Sequence, residues 1–162
     1  MRHVRQYPDP VLRRQCVDVV DFDDELRALA ERMYSIMDDA WGVGLAAPQL
    51  GLLLNIFTYR VSELDEPAAM VNPKIEWSSD ETDIDDEGCL SLGELRVSVS
   101  RAVSIKVTGH DLFGEPVAHD LEGFAARVFQ HEIDHLAGVL AFDRAIDDQS
   151  RAAALGYLRP KP

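Results

Sequence analysis

His131-Glu132-Ile133-Asp134-His135 can act as a unit only on a helix. There, side chains at i and i+4 stack on one face, so both imidazoles can ligate one metal ion. Glu132 then stands beside the first ligand, within reach of a water as general base. A chain of this length with 5 His contains the pattern by chance roughly 0.01 times. The bland alternative is a helix with two incidental histidines. The flanking sequence predicts the helix, from about Leu121 to Ala137, with Gly138 where a capping glycine belongs. Phe124, Val128, His131 and His135 share one face of it, apolar at one end and bearing both imidazoles at the other.

A helix with such a face needs a core to sit in. The 162 residues are 46% hydrophobic, enough for one domain over 1–162 without disulfide staples. No repeat, linker or low-complexity tract breaks it. Leu26, Leu29, Ala30, Met33, Tyr34 and Met37 predict an earlier helix from Asp23 to about Asp39, capped by Asp21 or Asp23 and ended by Trp41-Gly42-Val43-Gly44. Strands are expected over 52–60 and 70–77. Val97 and Val99, then Val103, Ile105 and Val107, alternate as half-buried antiparallel strands do. Asp111-Leu112-Phe113-Gly114 reads as a hairpin turn into a strand over 115–120. A short strand over 139–142 and a weak helix over 148–158 follow. The expected fold is α+β: antiparallel strands around the central His-Glu-x-x-His helix, with an N-terminal helix and a short C-terminal one.

The net charge of −13 argues against a general nucleic-acid binder and against docking on anionic lipid. The acidity concentrates in 18–39 and 61–90, read as solvated helix face and as loop. No apolar run follows the basic start of the chain and none approaches a membrane span, so a cytoplasmic protein is expected. Cys16 and Cys89 are too few for a disulfide framework and are read as reduced thiols.

Two histidines leave a catalytic metal one protein ligand short. Downstream, Ala141 stands where one protease class has a third His, and no Glu follows Glu132. Asp143, Asp147 and Asp148 remain candidates. Upstream, Cys89 within Glu87-Gly88-Cys89-Leu90-Ser91 offers a thiolate, although a lone Cys is more often a small buried hydrophobe. Gly42-Val43-Gly44-Leu45-Ala46-Ala47-Pro48-Gln49 fails as a dinucleotide motif, because a helix precedes it and the third glycine is missing. Its glycines suit close approach of a ligand to backbone, and Gln49 is a neutral donor suited to an oxyanion.

Taken in order, Gly42 to Gln49, Glu87 to Ser91 and Gln130 to His135 resemble the three motifs of the peptide deformylase family. The likeness extends to Tyr7-Pro8-Asp9-Pro10-Val11-Leu12 and Arg101, over nearly the whole chain. It implies a hydrolase of protein biosynthesis and N-terminal methionine processing. Such an enzyme removes the formyl group from the N-terminal formyl-methionine of nascent peptides and releases formate. It implies Cys89, His131 and His135 as ligands of a divalent ion, Fe2+ by family habit with Zn2+ or Ni2+ as replacements. Glu132 would be the base, and Gln49 with the Leu90 N–H would meet the oxyanion. The peptide would lie as an added strand beside Gly42, Val43, Gly44 and Leu45. Its methionine would enter a pocket lined by Val43, Val128, His131 and Arg127. Glu87 would orient Arg101, although Arg101 and Arg127 can equally be surface charge. A monomer without membrane contact is expected. Transient contact with the ribosome is open to it, through Arg151, Arg159 and Lys161.

The chain departs from the family pattern at Gly93 and Ser100, where Pro is frequent, and at Trp41, where a polar or small residue is common. These bear on the substrate-side strand and not on the metal ligands. His3, His110 and His119 have no spacing partner and read as core or surface residues, and Cys16 as buried. Two rivals stand beside the deformylase reading: a metallopeptidase with a downstream third ligand, and a non-enzymatic binder of peptide termini. Metal content unchanged by Cys89→Ser would favour the first rival. No ligand or base is broken, as the second would lead one to expect.

Overall fold

Asp23 starts the first helix, α1 (Asp24–Asp39), its side chain accepting from the Leu26 N–H while Asp24 and Glu25 occupy the positive first turn. The computed structural model describes residues 4–62 and 66–158. Leu26, Ala30, Met33 and Met37 form the buried stripe of α1. At its end the Gly42 N–H reaches back to the Met37 carbonyl (2.9 Å) and the Trp41 N–H to that of Asp38 (3.0 Å). This closure puts Trp41 at φ 55. A residue with a Cβ costs about 1–2 kcal/mol there, which is why glycine usually holds the position.

Seven strands follow in chain order: β1 (Gly44–Ala46), β2 (Ile56–Tyr59), β3 (Ala68–Ser78), β4 (Thr82–Gly88), β5 (Arg96–Ala102), β6 (Ser104–His110) and β7 (Pro116–Glu122). Five make an antiparallel sheet in the order β1-β2-β3-β6-β7, with Leu45 opposite Thr58 and Val107 opposite His119. β4 and β5 form a separate two-stranded ribbon, with Glu87 opposite Val97. The helices α2 (Gly123–Leu136) and α3 (Asp148–Tyr157) complete the α+β fold. Gly138 ends α2 at φ 74, its N–H on the His135 carbonyl and that of Val139 on Asp134. Among the described residues no helix is long and apolar enough to cross a membrane.

The helix α2 touches strands of both sheets. Ala126, Phe129 and Leu136 pack with Phe57, Met70, Ile105 and Val107 of the large sheet. Phe129 meets Phe57 edge-on at 5.1 Å between ring centroids. The ribbon packs its Val97 and Val99 with Leu12, Leu140 and Phe142 in a second cluster, and α1 joins Leu45 and Ile56 in a third.

Several expectations are corrected. The segment 82–88 is the strand β4 and not loop. Its side chains are exposed except for Glu87, so it has no apolar alternation to betray it, and it gains its ladder from β5. The segment 139–142 is no strand. A 3₁₀ turn begins at Ala141, with the Asp143 carboxylate accepting from the Leu140 N–H. The expected strand over 52–60 shortens to β2, because Leu54 makes only a single bridge, to Val17. Cys16 is half-buried rather than buried, and burial lifts its thiol to about 11. His110 lies against Phe22 and His119 against Tyr59 and Phe129. His3 lies outside the described residues.

Candidate active site

α2 turns His131, Glu132 and His135 toward the end of β4, where the chain leaves the ribbon at Gly88 and Cys89. The donor atoms of Cys89, His131 and His135 all lie within 4.8 Å of one another. Cys89 Sγ is 3.2 Å from His135 Nε2. The two imidazoles stand 4.9 Å apart. The cluster lies at a cleft of about 600 Å³ whose lining includes Val43, Gly44, Cys89, Val128, His131 and Glu132.

The surroundings fit a metal ion. His131 Nδ1 lies 2.9 Å from Glu87 Oε2. Burial alone would raise the Glu87 carboxyl, but hydrogen bonds from His131 and Arg101 outweigh it and hold it at about 2. An ionised Glu87 can only accept, so Nδ1 carries a proton. Before an ion binds, burial alone would lower His131, but hydrogen bonds to Cys89 and Glu87 outweigh it and raise the ring well above its ordinary value, so ligation requires Nε2 to give up its proton. His135 is pushed well below its ordinary value by burial and by the positive charge of His131, so it is neutral, the form that ligates. One cysteine sulfur and two imidazoles make a donor set for a borderline divalent ion.

Glu132 is buried, and among the described residues its Oε2 has no hydrogen-bond partner. Burial, together with the charge of Glu87, raises its carboxyl to about 7 against the opposing pull of His131. A buried carboxyl raised to that range is what a general base needs. Opposite it runs β1, and a Cβ at Gly44 would lie 2.3 Å from Glu132 Oε1. Among the described residues β1 pairs with β2 on one side only, leaving it an edge strand at the cleft.

A charged network braces the cluster from behind. Arg101 holds Glu87 through two nitrogens at 2.9 Å each and also pairs with Asp134. Arg127 donates to Glu87 (2.9 Å) and to the carbonyls of Val99 and Asp83. Arg144 holds the other side of Asp134 at 2.9 Å. Arg101 and Arg127 are thus buried, against the surface alternative. Asp134 and Ser91 are site-supporting residues to which sequence reasoning gave no role. The only signal for either was its place inside a motif.

Of the residues expected at the site, Gln49, Leu90, Gly42, Val43, Gly44, Arg127 and Val128 line the cleft with Cys89, His131 and Glu132. Gln49 donates to Ser91 Oγ (3.1 Å) and lies 3.8 Å from Cys89 Sγ, while its Oε1 accepts from the Ala46 N–H. The Leu90 carbonyl accepts from Gln6. His135 lies beneath the cleft wall, 1% exposed. Leu45 is the exception: its side chain is fully buried with Met37 and Ile56, so only its backbone can face a ligand. Asp143 and Asp147 are engaged elsewhere, with Arg13 and at the start of α3. Arg151 pairs with Asp143, and Arg159 and Lys161 lie outside the described residues.

A two-sheet α+β fold, whose cleft ends on a cysteine-imidazole cluster with a buried carboxyl beside it, defines a hydrolase-type site. The family model for polypeptide deformylase matches residues 1–151. The chain belongs to the polypeptide deformylase family, and its members are hydrolases. It is 46% identical over 144 residues to the peptide deformylase of Thermotoga maritima, covering 89% of this chain and 87% of that one. The crystal structure of the Thermotoga maritima enzyme superposes with a TM-score of 0.86 at 45% identity, covering 89% of this chain and 97% of its own. That of peptide deformylase 1B from Arabidopsis thaliana, in complex with an inhibitor, gives 0.91 at 37% identity, covering 96% and 87%.

Proposed function

We propose that this chain, working as a single catalytic domain over residues 1–162, removes the formyl group from the N-terminal formyl-methionine of newly made polypeptides. The observation that carries the reading is the convergence of Cys89, His131 and His135 beside a buried, partnerless carboxylate oxygen of Glu132. Cys89, His131 and His135 would hold one divalent ion, ferrous iron first, with zinc or nickel as replacements. When bound, that ion would supply Lewis-acid polarisation of carbonyl and water.

The rest is the work of the chain's own residues. The free edge of β1 takes the peptide as an added strand, using the backbone of Gly42 to Leu45. Val43, Val128, His131 and Arg127 surround the methionine side chain. Glu132 accepts a proton from the attacking water and returns it to the departing amine. Gln49 and the Leu90 N–H donate to the oxygen that becomes negative as the formyl carbon turns tetrahedral. Glu87 keeps His131 in one tautomer. The products are formate and a free N-terminal methionine. The expected setting is the cytoplasm, where a reducing milieu keeps Cys89 from oxidation, with the protein a monomer in transient contact with the ribosome.

The test is formate release from formyl-Met-Ala-Ser by enzyme prepared anaerobically and loaded with iron. Release that is lost in Cys89→Ser supports the reading, and no formate from the loaded enzyme overturns it.

A further inference from the structure

We propose that Trp41 is a specificity-determining residue of this chain, an aromatic ledge that receives an apolar side chain two or three residues into the substrate peptide. The proposal rests on the deformylase reading above and deepens it.

The helices α1 and α2 end in the same six-residue closure, each with one residue at positive φ. In α2 that residue is Gly138 and in α1 it is Trp41. The bulkiest side chain thus stands where the backbone favours no side chain at all. Burial does not offset this, since Trp41 is 95% exposed. The fold gains nothing from this residue by either measure, and a feature that costs stability without structural return points to a ligand.

Its position indicates which ligand. Trp41 opens the stretch Trp41–Gly44 that lines the cleft. The reacting end lies at Gly44, whose backbone abuts Glu132. A peptide laid along β1 from that point has one way out. Leu45, Ala46 and Ala47 are fully buried, whereas Val43 is 43% exposed and Trp41 almost wholly so. Three residues of extended chain span about 10 Å, so the second or third residue of the peptide comes beside the indole. An indole offers a broad apolar face that gains most when another apolar side chain covers it.

The experiment compares kcat and KM for formyl-Met-Leu-Leu and formyl-Met-Ala-Ala in the iron-loaded parent, Trp41→Gly and Trp41→Phe. The parent should favour the leucine peptide by about tenfold in kcat/KM, carried by KM. Trp41→Gly should flatten that preference without a fall in Tm, and Trp41→Phe should restore most of it. In a Trp77→Phe background, where Trp41 is the remaining tryptophan of two, Met-Leu-Leu should shift the emission to the blue more than Met-Ala-Ala. An equal preference in parent and Trp41→Gly, or a Tm several degrees lower in Trp41→Gly, overturns the proposal. Absence of formate from every peptide strikes instead at the deformylase reading on which it rests.

Discussion

Gly44 has the tightest tolerance among the described glycines. Its Cα faces the side chain of Glu132 so closely that a methyl group would lie 2.3 Å from Oε1 and 2.9 Å from Cγ. Rotating the carboxyl alone cannot relieve this, because the stem is in the way too. Gly44→Ala is therefore expected to displace Glu132 or lift β1. Catalysis that depends on a carboxylate held within about 1 Å should fall about 100-fold or more in kcat/KM for formate release. Activity within threefold of the parent would show that Glu132 is held less tightly than the geometry indicates. At this scale the sequence was legible where the signal is local. His131 and His135 announce their shared face by spacing alone. Cys89 does not, since nothing local ties residue 89 to residue 131, and only the three-motif resemblance singled it out. Leu45 shows the limit of that resemblance: a motif position marks proximity and not which part of a residue faces the ligand.

Between elements, the site is held by buried charge. Glu87 on β4, Arg101 on β5, and Asp134 and Arg127 on α2 are each under 10% exposed and satisfy one another. Replacing one partner leaves opposite charges desolvated and unpaired, at a cost of about 3–5 kcal/mol. Arg101→Leu is expected to lower the unfolding free energy by that order, read by urea titration, and a loss under about 1 kcal/mol would contradict the network's role. A second link ties the N-terminal 3₁₀ turn at Pro10–Arg13 to that at Ala141–Arg144 through Arg13 and Asp143. Burial raises the Asp143 carboxyl, but hydrogen bonds from Arg13 and the Leu140 N–H outweigh it and hold the group below its ordinary value. A depressed carboxyl stabilises the fold above the unfolded carboxylate range and loses that contribution as pH falls toward its folded value. Asp143→Asn should therefore lower Tm slightly at pH 7 and flatten the fall of Tm between about pH 5 and pH 3. The half-exposed Arg13 keeps this below about 1 kcal/mol. An unchanged slope would show that the pair is screened out. Elements with an apolar period, such as α1, α2, β5 and β6, were legible in the sequence. β4 was not, because an acidic ribbon strand takes its pairing from β5 and its side chains from neither pattern. The 139–142 segment failed for the converse reason: Leu140, Ala141 and Phe142 are buried, but the Asp143 cap winds them into a turn.

Over the whole molecule, the reading of an α+β chain needed only the alternation of helical and strand periods. The division into a five-stranded sheet and a separate ribbon was not legible, because strand partners are chosen by packing across the core and not by any residue's own preference. The acidity of −13 was legible where it lies on the exposed face of α1, but its second block found its place only in the fold, along β4 at the rim of the cleft. The consequence of that division is mechanical. Cys89 leaves the ribbon, while His131 and His135 belong to the helix packed on the large sheet, so an ion held by all three would join two bodies otherwise coupled by packing and the Glu87–Arg101 network. Binding that favours only the folded state stabilises it by about 2.7 kcal/mol at 100 times the dissociation constant. In a chain of 162 residues that corresponds to about 5–10 °C in Tm. Removing the ion with a chelator is therefore expected to lower Tm by that amount, with reversal on adding iron or zinc anaerobically. Cys89→Ser should lose most of the response, because the link to the ribbon is the thiolate. A parent Tm unmoved by chelation, with elemental analysis showing the ion gone, would mean that the two halves are held together by their side chains alone.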